Sequence, residues 1–175
     1  MVWHSYELDA NLPEKAIDES IYSYFAEKYS MSIDQARATM VKTAALAKET
    51  GLDYDFDNIV VANTSKALRL VKFANEYGLA TEAEELLFKA YFTEGKDISD
   101  GDILTSLGVS IGLQEKDIIE MLASGRYKDE VANDVNYSEN VLKLEYIPFY
   151  RFNDKQIIQG SVAMEDYLKV LTESY

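Results

Sequence analysis

One stretch near the end of the chain decides what the rest can fold into. Residues 145–152, Glu-Tyr-Ile-Pro-Phe-Tyr-Arg-Phe, and 156–160, Gln-Ile-Ile-Gln-Gly, are two apolar, aromatic-rich runs flanking a polar turn at Asn153-Asp154-Lys155. Runs of this kind across so short a turn predict a β-hairpin. Pro148 stands at the start of the first run, where a missing N–H does least harm to a ladder. Its position also permits a cis Ile147–Pro148 bond, which tertiary context has to hold. A hairpin alone is marginal in water, and nearly everything before it reads as helix. Its sheet partners have to come from far away in the sequence.

The upstream stretch that offers one is the N-terminus. Val2, His4, Tyr6 and Leu8 alternate with Trp3, Ser5 and Glu7, a period of two that predicts a short strand over residues 2–8. With no turn or cap before it, this strand reads as the surviving end of a longer element. Helical spacing then takes over. Ile17, Ile21, Tyr24, Phe25 and Tyr29 predict a helix from Pro13 to about Tyr29. Ser32 with Gln35 is a capping-box pattern opening a second helix that Gly51 closes, with Ala36, Met40, Ala44 and Ala47 as its inner stripe. Leu52 to Ala62 reads as a loop anchored by Tyr54 and Phe56. Asn63 or Thr64 caps a third helix with Ala67, Leu68, Val71 and Ala74 inward, and Thr81 with Glu84 repeats the box for a fourth. Further helices follow from Ser99 or Asp100, over Gln114 to Ser124, and from Tyr127 to about Leu142. Met164, Tyr167, Leu168 and Leu171 define a last one after the hairpin. One strand, a long helical block, a hairpin and a closing helix suggest an α/β fold with a helical insertion.

Charge and cysteine usage narrow the function classes. The chain has 17 Lys and Arg against 31 Asp and Glu, a net −14, which argues against nucleic acid or an anionic membrane as partner because both need a basic footprint. No run approaches the roughly 20 apolar residues of a membrane span, and the N-terminus lacks signal-peptide character, so the expected location is cytoplasmic. There is no cysteine, which excludes disulfides, thiolate metal sites and thiol catalysis by these residues.

The candidate site residues are few. Asp53, Asp55 and Asp57 alternate like the first ligands of a calcium loop, but Asn58 sits where that loop needs Gly and Thr64 where it needs Glu. A solvated loop of turn acids fits them better, and the same holds for Asp97, Asp100 and Asp102. His4 could act as a general base beside a carboxylate, but a packed or surface position suits a lone histidine better. With one histidine and no cysteine no metal or other cofactor is expected. Tyr146 and Tyr150, beside Pro148, either line a groove for a peptide or small molecule or pack the hairpin against helices. Phosphate-loop, nucleophile-elbow and zinc-helix motifs are missing.

Several stretches together resemble the DsbA-like thioredoxin-fold proteins of the FrnE branch. They are WHSYELD (3–9) followed by Pro13, KYSMSIDQARA (28–38), GLDYDFDNIVVANTSKALRLVKFANEYGL (51–79), LFKAYFTEGKDISD (87–100) and IPF (147–149) with the hairpin and final helix. The resemblance implies a thioredoxin-like, DsbA-type α/β fold with a large all-helical insertion. Residues 1–11 and 139–175 would form a partial thioredoxin-like domain, and 12–138 the insertion. It implies a thiol–disulfide oxidoreductase acting on protein thiols and disulfides. Pro148 would be the cis-proline, with Ile147 before it and Tyr146 completing the substrate-binding loop.

The departures from the family matter as much. Its first strand, Cys-x-x-Cys loop and first helix are expected before WHSYELD, so the resemblance implies a chain truncated at its N-terminus and catalytically incompetent. Tyr146 and Lys143 replace usual glycines, and the Gly-Ala-Gln expected after the hairpin reads Gly160-Ser161-Val162. Two other functions stay open. One is a non-catalytic binding module that uses the helical part and the groove at Pro148. The other is a relative of the glutathione-binding kappa-class transferases or hydroxychromene-carboxylate isomerases, with glutathione at Ile147-Pro148. Losing a strand between residues 2–8 and the hairpin would open a gap of about twice the 4.8 Å strand spacing. Self-association through exposed strand edges into a homo-oligomer, or strand 2–8 drawn directly onto the hairpin, is the expected outcome.

Overall fold

A computed structural model describes residues 2–153 and 156–173. Along the chain run α1 (Ile21–Lys28), α2 (Ile33–Glu49), α3 (Ser65–Asn75), α4 (Ala80–Phe92), α5 (Gly101–Ser110), α6 (Glu115–Ala123), α7 (Lys128–Asn140), β1 (Phe149–Phe152), β2 (Gln156–Gln159) and α8 (Met164–Glu173). Two compact units result, Met1–Ala132 and Asn133–Tyr175, with the division falling inside α7. Among the described residues, no helix is long and apolar enough to cross a membrane.

The first unit is built on α3. Ala67, Leu70, Val71 and Ala74 recur at three- and four-residue spacing and, with Phe73, are at most 4% exposed, so α3 is apolar on more than one side and must be surrounded. It packs against α4, α5 and α6. Leu87, Ala90, Leu104, Leu107, Ile118 and Met121 fill the space between these helices. Gly108 lets α5 come close. A Cβ there would lie 2.6 Å from Ile118 Cδ1 and 3.3 Å from Leu70 Cδ1. A second cluster joins Ile21, Tyr22 and Met40 to Ile59 and Val61, with Phe56 and Phe92 packed against it. Tyr54 stacks on Phe92 at 4.7 Å, so both expected loop anchors are seated. Gly95, at φ +59°, lies where a Cβ would sit 2.5 Å from the Asn58 carbonyl oxygen, a position only glycine fills without strain.

Local signals in the sequence set several helix ends. Ser32 caps α2 with the full reciprocal box, its side chain accepting from Gln35 N while Gln35 Oε1 accepts from Ser32 N. Asp100 caps α5 through the Asp102 and Ile103 N–H groups. Other expectations fail for tertiary reasons. α1 begins at Ile21 rather than Pro13, because Ser20 caps it and the Ile17 N–H is taken by the Val61 carbonyl at 3.1 Å. The box at Thr81 and Glu84 is not made. α4 starts two residues earlier than that box requires, at Ala80, and Thr81 Oγ1 instead accepts from Trp3 Nε1 at 3.1 Å.

The strand expected over residues 2–8 is absent. The described sheet has two strands, and residues 2–7 carry no regular secondary structure. An extended segment becomes a strand only when a neighbour completes its ladder. Here the segment is held by side chains instead, with Trp3 packed against the α3–α6 core. Asp9, just after it, accepts from Tyr24 Oη at 2.7 Å and Lys28 Nζ at 3.0 Å. The Tyr24 hydrogen bond first, then Lys28, holds the Asp9 carboxyl below its ordinary pKa.

In the second unit β1 and β2 form the expected antiparallel hairpin, Phe149 opposite Gln159 and Tyr150 opposite Ile158. Its turn begins at Asn153, at φ +48°; the expected turn residues Asp154 and Lys155 lie outside the described residues. α8 forms, but its apolar face is not buried. Met164, Leu168 and Leu171 are 68%, 56% and 41% exposed, and Tyr167 meets Tyr150 edge-on at 5.4 Å.

Two variants probe the first unit. Gly108→Ala should destabilise it by about 1–3 kcal/mol, the usual consequence of overpacking, read as a shift of the urea midpoint. Glu84 is half-buried, and desolvation raises its carboxyl pKa. Its folded pKa lies above its unfolded one, so this stability term is complete below the unfolded pKa and is lost as pH rises through the folded one. Glu84→Gln should therefore raise Tm at pH 7 and flatten the fall in stability above pH 4.

Candidate functional site

The three residues expected to bind substrate, Tyr146, Ile147 and Pro148, lie on one exposed stretch leading into β1. Tyr146 is 65% and Ile147 45% exposed, Pro148 is also exposed, and the Ile147–Pro148 peptide bond is cis.

The backbone leading to them is tightly directed. After α7 the Leu142 N–H donates to the Tyr137 carbonyl and the Leu144 N–H to the Ser138 carbonyl, both at 3.0 Å, which reverses the chain. Lys143 makes that reversal at φ +52°. The left-handed region costs a non-glycine residue roughly 1–2 kcal/mol, at a position where the resemblance implied glycine. Gln159, the last residue of β2, then reaches across. Its Oε1 accepts from the Glu145 N–H at 3.1 Å and the Tyr146 N–H at 3.3 Å. On the other side of the proline, the Gly160 N–H donates to the Pro148 carbonyl at 2.8 Å. Gly160 has φ +75°, and a Cβ there would lie 3.9 Å from the Tyr146 Cβ. The Tyr146 side chain thus leaves from a backbone fixed on both sides.

This register decides which backbone groups face outward. Since Pro148 and Gly160 share a hydrogen bond, the antiparallel alternation makes Tyr150–Ile158 the next bonded pair. The N–H and C=O of Phe149 therefore point to the outer edge of β1, away from β2. An exposed edge of this kind is where an extended peptide adds as a further strand. Tyr150, 36% exposed, packs on Tyr167, so of the two tyrosines beside Pro148 it takes the packing role and Tyr146 the exposed one. Further along β1, Arg151 Nη1 donates to Tyr137 Oη at 3.0 Å.

The remaining candidates are placed elsewhere. Asp57 accepts from Tyr22 Oη and Arg37, and Asp55 from Asn58 Nδ2, so these acids are engaged in turn and helix contacts. Asp97 accepts from Ser99 and Asp100 caps α5. Among the described residues no three acids, histidines or cysteines converge on a metal-sized point. His4 is exposed. The residue the sequence did not single out is Gln159, whose importance depends on a cross-strand register that is not visible as a motif.

Comparison with known proteins bears on the whole chain. Residues 1–172 match the family model described as a DSBA-like thioredoxin domain. The chain is 25% identical over 129 residues to YwbO of Bacillus subtilis, an uncharacterized protein; the match covers 73% of this chain and 64% of that one. The chain thus spans less than two thirds of that relative's length. It superposes with a TM-score of 0.89 and 25% identity on a solved structure from Streptomyces coelicolor, a probable DsbA oxidoreductase, over 98% of this chain and 73% of that one.

If Gln159 holds the loop, Gln159→Ala should speed amide exchange at Glu145 and Tyr146 by about fivefold each, the equivalent of roughly 1 kcal/mol of hydrogen bonding. Nuclear magnetic resonance exchange rates read this directly, and unchanged rates would show that the loop is held by something else.

Proposed function

Because this chain belongs to the DSBA-like thioredoxin domain family, we propose that it forms the substrate-facing part of a thiol–disulfide oxidoreductase of the FrnE branch. Its fold is the DsbA-like thioredoxin fold, dominated here by helices. The observation that carries the function is the superposition over 98% of the chain on a probable DsbA oxidoreductase. In this reading residues 1–11 and 139–175 are the thioredoxin-like part and 12–138 the helical insertion, and the protein works in the cytoplasm on protein thiols and disulfides.

Disulfide exchange needs a thiolate to attack a disulfide sulfur, with the released sulfur leaving as thiolate. No residue of this sequence can supply one. The redox cysteines are therefore contributed from outside these 175 residues, and what the chain provides is positioning. An extended substrate segment pairs with the outer edge of β1 beside Phe149, while Tyr146 and Ile147 contact its side chains. Tyr146 narrows that approach, because a large ring stands where the resemblance implied glycine.

A second reading, a non-catalytic peptide-binding module, uses the same edge without redox chemistry. It is favoured by the lack of cysteine together with the exposure of Tyr146. Either reading leaves the β1 edge available for self-association.

The two separate in one pair of assays. Insulin reduction by the 175-residue chain should stay at background. The product of the gene read from any in-frame upstream Cys-x-x-Cys should be active, and Tyr146→Gly in it should raise kcat/KM for peptide disulfides. A stop codon directly upstream would instead favour the binding module. Activity of the 175-residue chain above background would overturn the thiol argument outright.

A further inference from the structure

Arg69 is the charged side chain among the buried residues, 2% exposed in the middle of α3. Part of its role is structural. Nε donates to the Arg126 carbonyl at 2.8 Å, and Nη2 to the carbonyls of Met121, Leu122 and Ser124, the last at 2.6 Å. Met121 and Leu122 carry two of the carbonyls that α6, ending at Ala123, leaves without intrahelical partners, and Ser124 is its C-cap. The guanidinium thus closes the C-terminus of α6, where a cation also meets the negative end of the helix dipole.

This accounts for only part of the charge and of the donors. All four acceptors are neutral carbonyls, and among the described residues no carboxylate lies within ion-pair distance of Arg69. Buried charges are ordinarily paired. The third nitrogen, Nη1, has no acceptor among the described residues and is not sealed from solvent. Desolvation, with no opposing carboxylate, pulls the guanidinium pKa down.

Arg69 lines a polar cavity of about 230 Å³ in the first unit. Lys66 and Lys128 line it too, with Ser65 and Asn63, and Glu14 is its one acid. Three cations against one carboxylate run opposite to a chain of 17 basic and 31 acidic residues. The Lys66 ammonium donates to the Ser99 carbonyl at 3.2 Å, which leaves further N–H donors, and Lys128 has no carboxylate partner among the described residues. The N-terminus of α3 opens at the same place. Its N-cap, Thr64, makes no side-chain cap, and Asn63 Oδ1 takes only the Ser65 N–H. Uncapped N–H groups at a helix start favour an anion. The volume is below the roughly 300 Å³ at which pockets for drug-sized ligands begin.

From these features we infer that the cavity binds a small oxyanion, phosphate or a small carboxylate, whose oxygens take the free Nη1 of Arg69 and are held by Lys66 and Lys128 at the start of α3. The inference is independent of thiol chemistry and needs no residue of the hairpin. Arg69 is both a helix cap and an anion donor, which is why an arginine, with its planar fork, stands there rather than a lysine.

Calorimetric titration of the 175-residue chain with sodium phosphate at pH 7, at ionic strength matched with chloride, tests it. The expected result is saturable binding of one phosphate. Lys66→Gln and Lys128→Gln should each weaken it by about tenfold, the scale of one charge-assisted contact, with unchanged circular dichroism. An acetate titration distinguishes the ligands, since competition with phosphate assigns the site to oxyanions in general and no competition assigns it to the tetrahedral dianion. Arg69→Lys should abolish binding if it folds, and the two lysine variants decide the matter if it does not. Absence of saturable heat, or lysine variants that bind as tightly as the parent, would overturn the proposal.

Discussion

Everything in the helical unit depends on α3 being enclosed. A helix with Leu70, Phe73 and Ala74 at 0–1% exposure keeps no more than a half-buried strip, Leu68 and Lys72, toward solvent over its central turns. Three other helices have to surround it, and Gly108 lets one of them, α5, come close. Burial of one large apolar side chain is worth about 1.5–3 kcal/mol. The side chains between α3 and its neighbours therefore outweigh any single cap or ion pair at the periphery. This is also why a charged residue on α3 is informative, since an arginine is kept in such a place only with several acceptors to hold it.

How much of this was legible depends on whether the information was local. The Ser32–Gln35 box, the Asp100 cap and the glycine ends are decided within four residues, and the sequence declared them. The hairpin was legible for the same reason. The inner face of α3 was read in part, with Ala67, Val71 and Ala74 buried as expected. Leu68 is half-buried, whereas Leu70 and Phe73 are core, because a helix surrounded on three sides has no single stripe to find. Non-local competition defeated other readings. Ile17 lost its helix when its N–H went to the Val61 carbonyl, the Thr81 hydroxyl accepts from Trp3, and residues 2–8 had the alternation of a strand without a neighbour to make them one.

At the candidate site the sequence located the residues but not their support. Tyr146, Ile147 and Pro148 stood out through family resemblance and are exposed together. That Gln159 fixes the two amides before them, and that Phe149 faces outward, follows only from register. Lys143 shows the same relation from the other side. The resemblance implied glycine there, and the left-handed backbone gives that expectation its meaning.

The docking of Trp3 has a use beyond packing. It is the one tryptophan of the chain, and its indole N–H is bonded to a hydroxyl at the first turn of α4. Indole emission responds to polarity and hydrogen bonding, so this single fluorophore reports the attachment of the N-terminal segment to the helical unit without any added label. Its wavelength during unfolding would reveal whether that segment peels away before the helices separate.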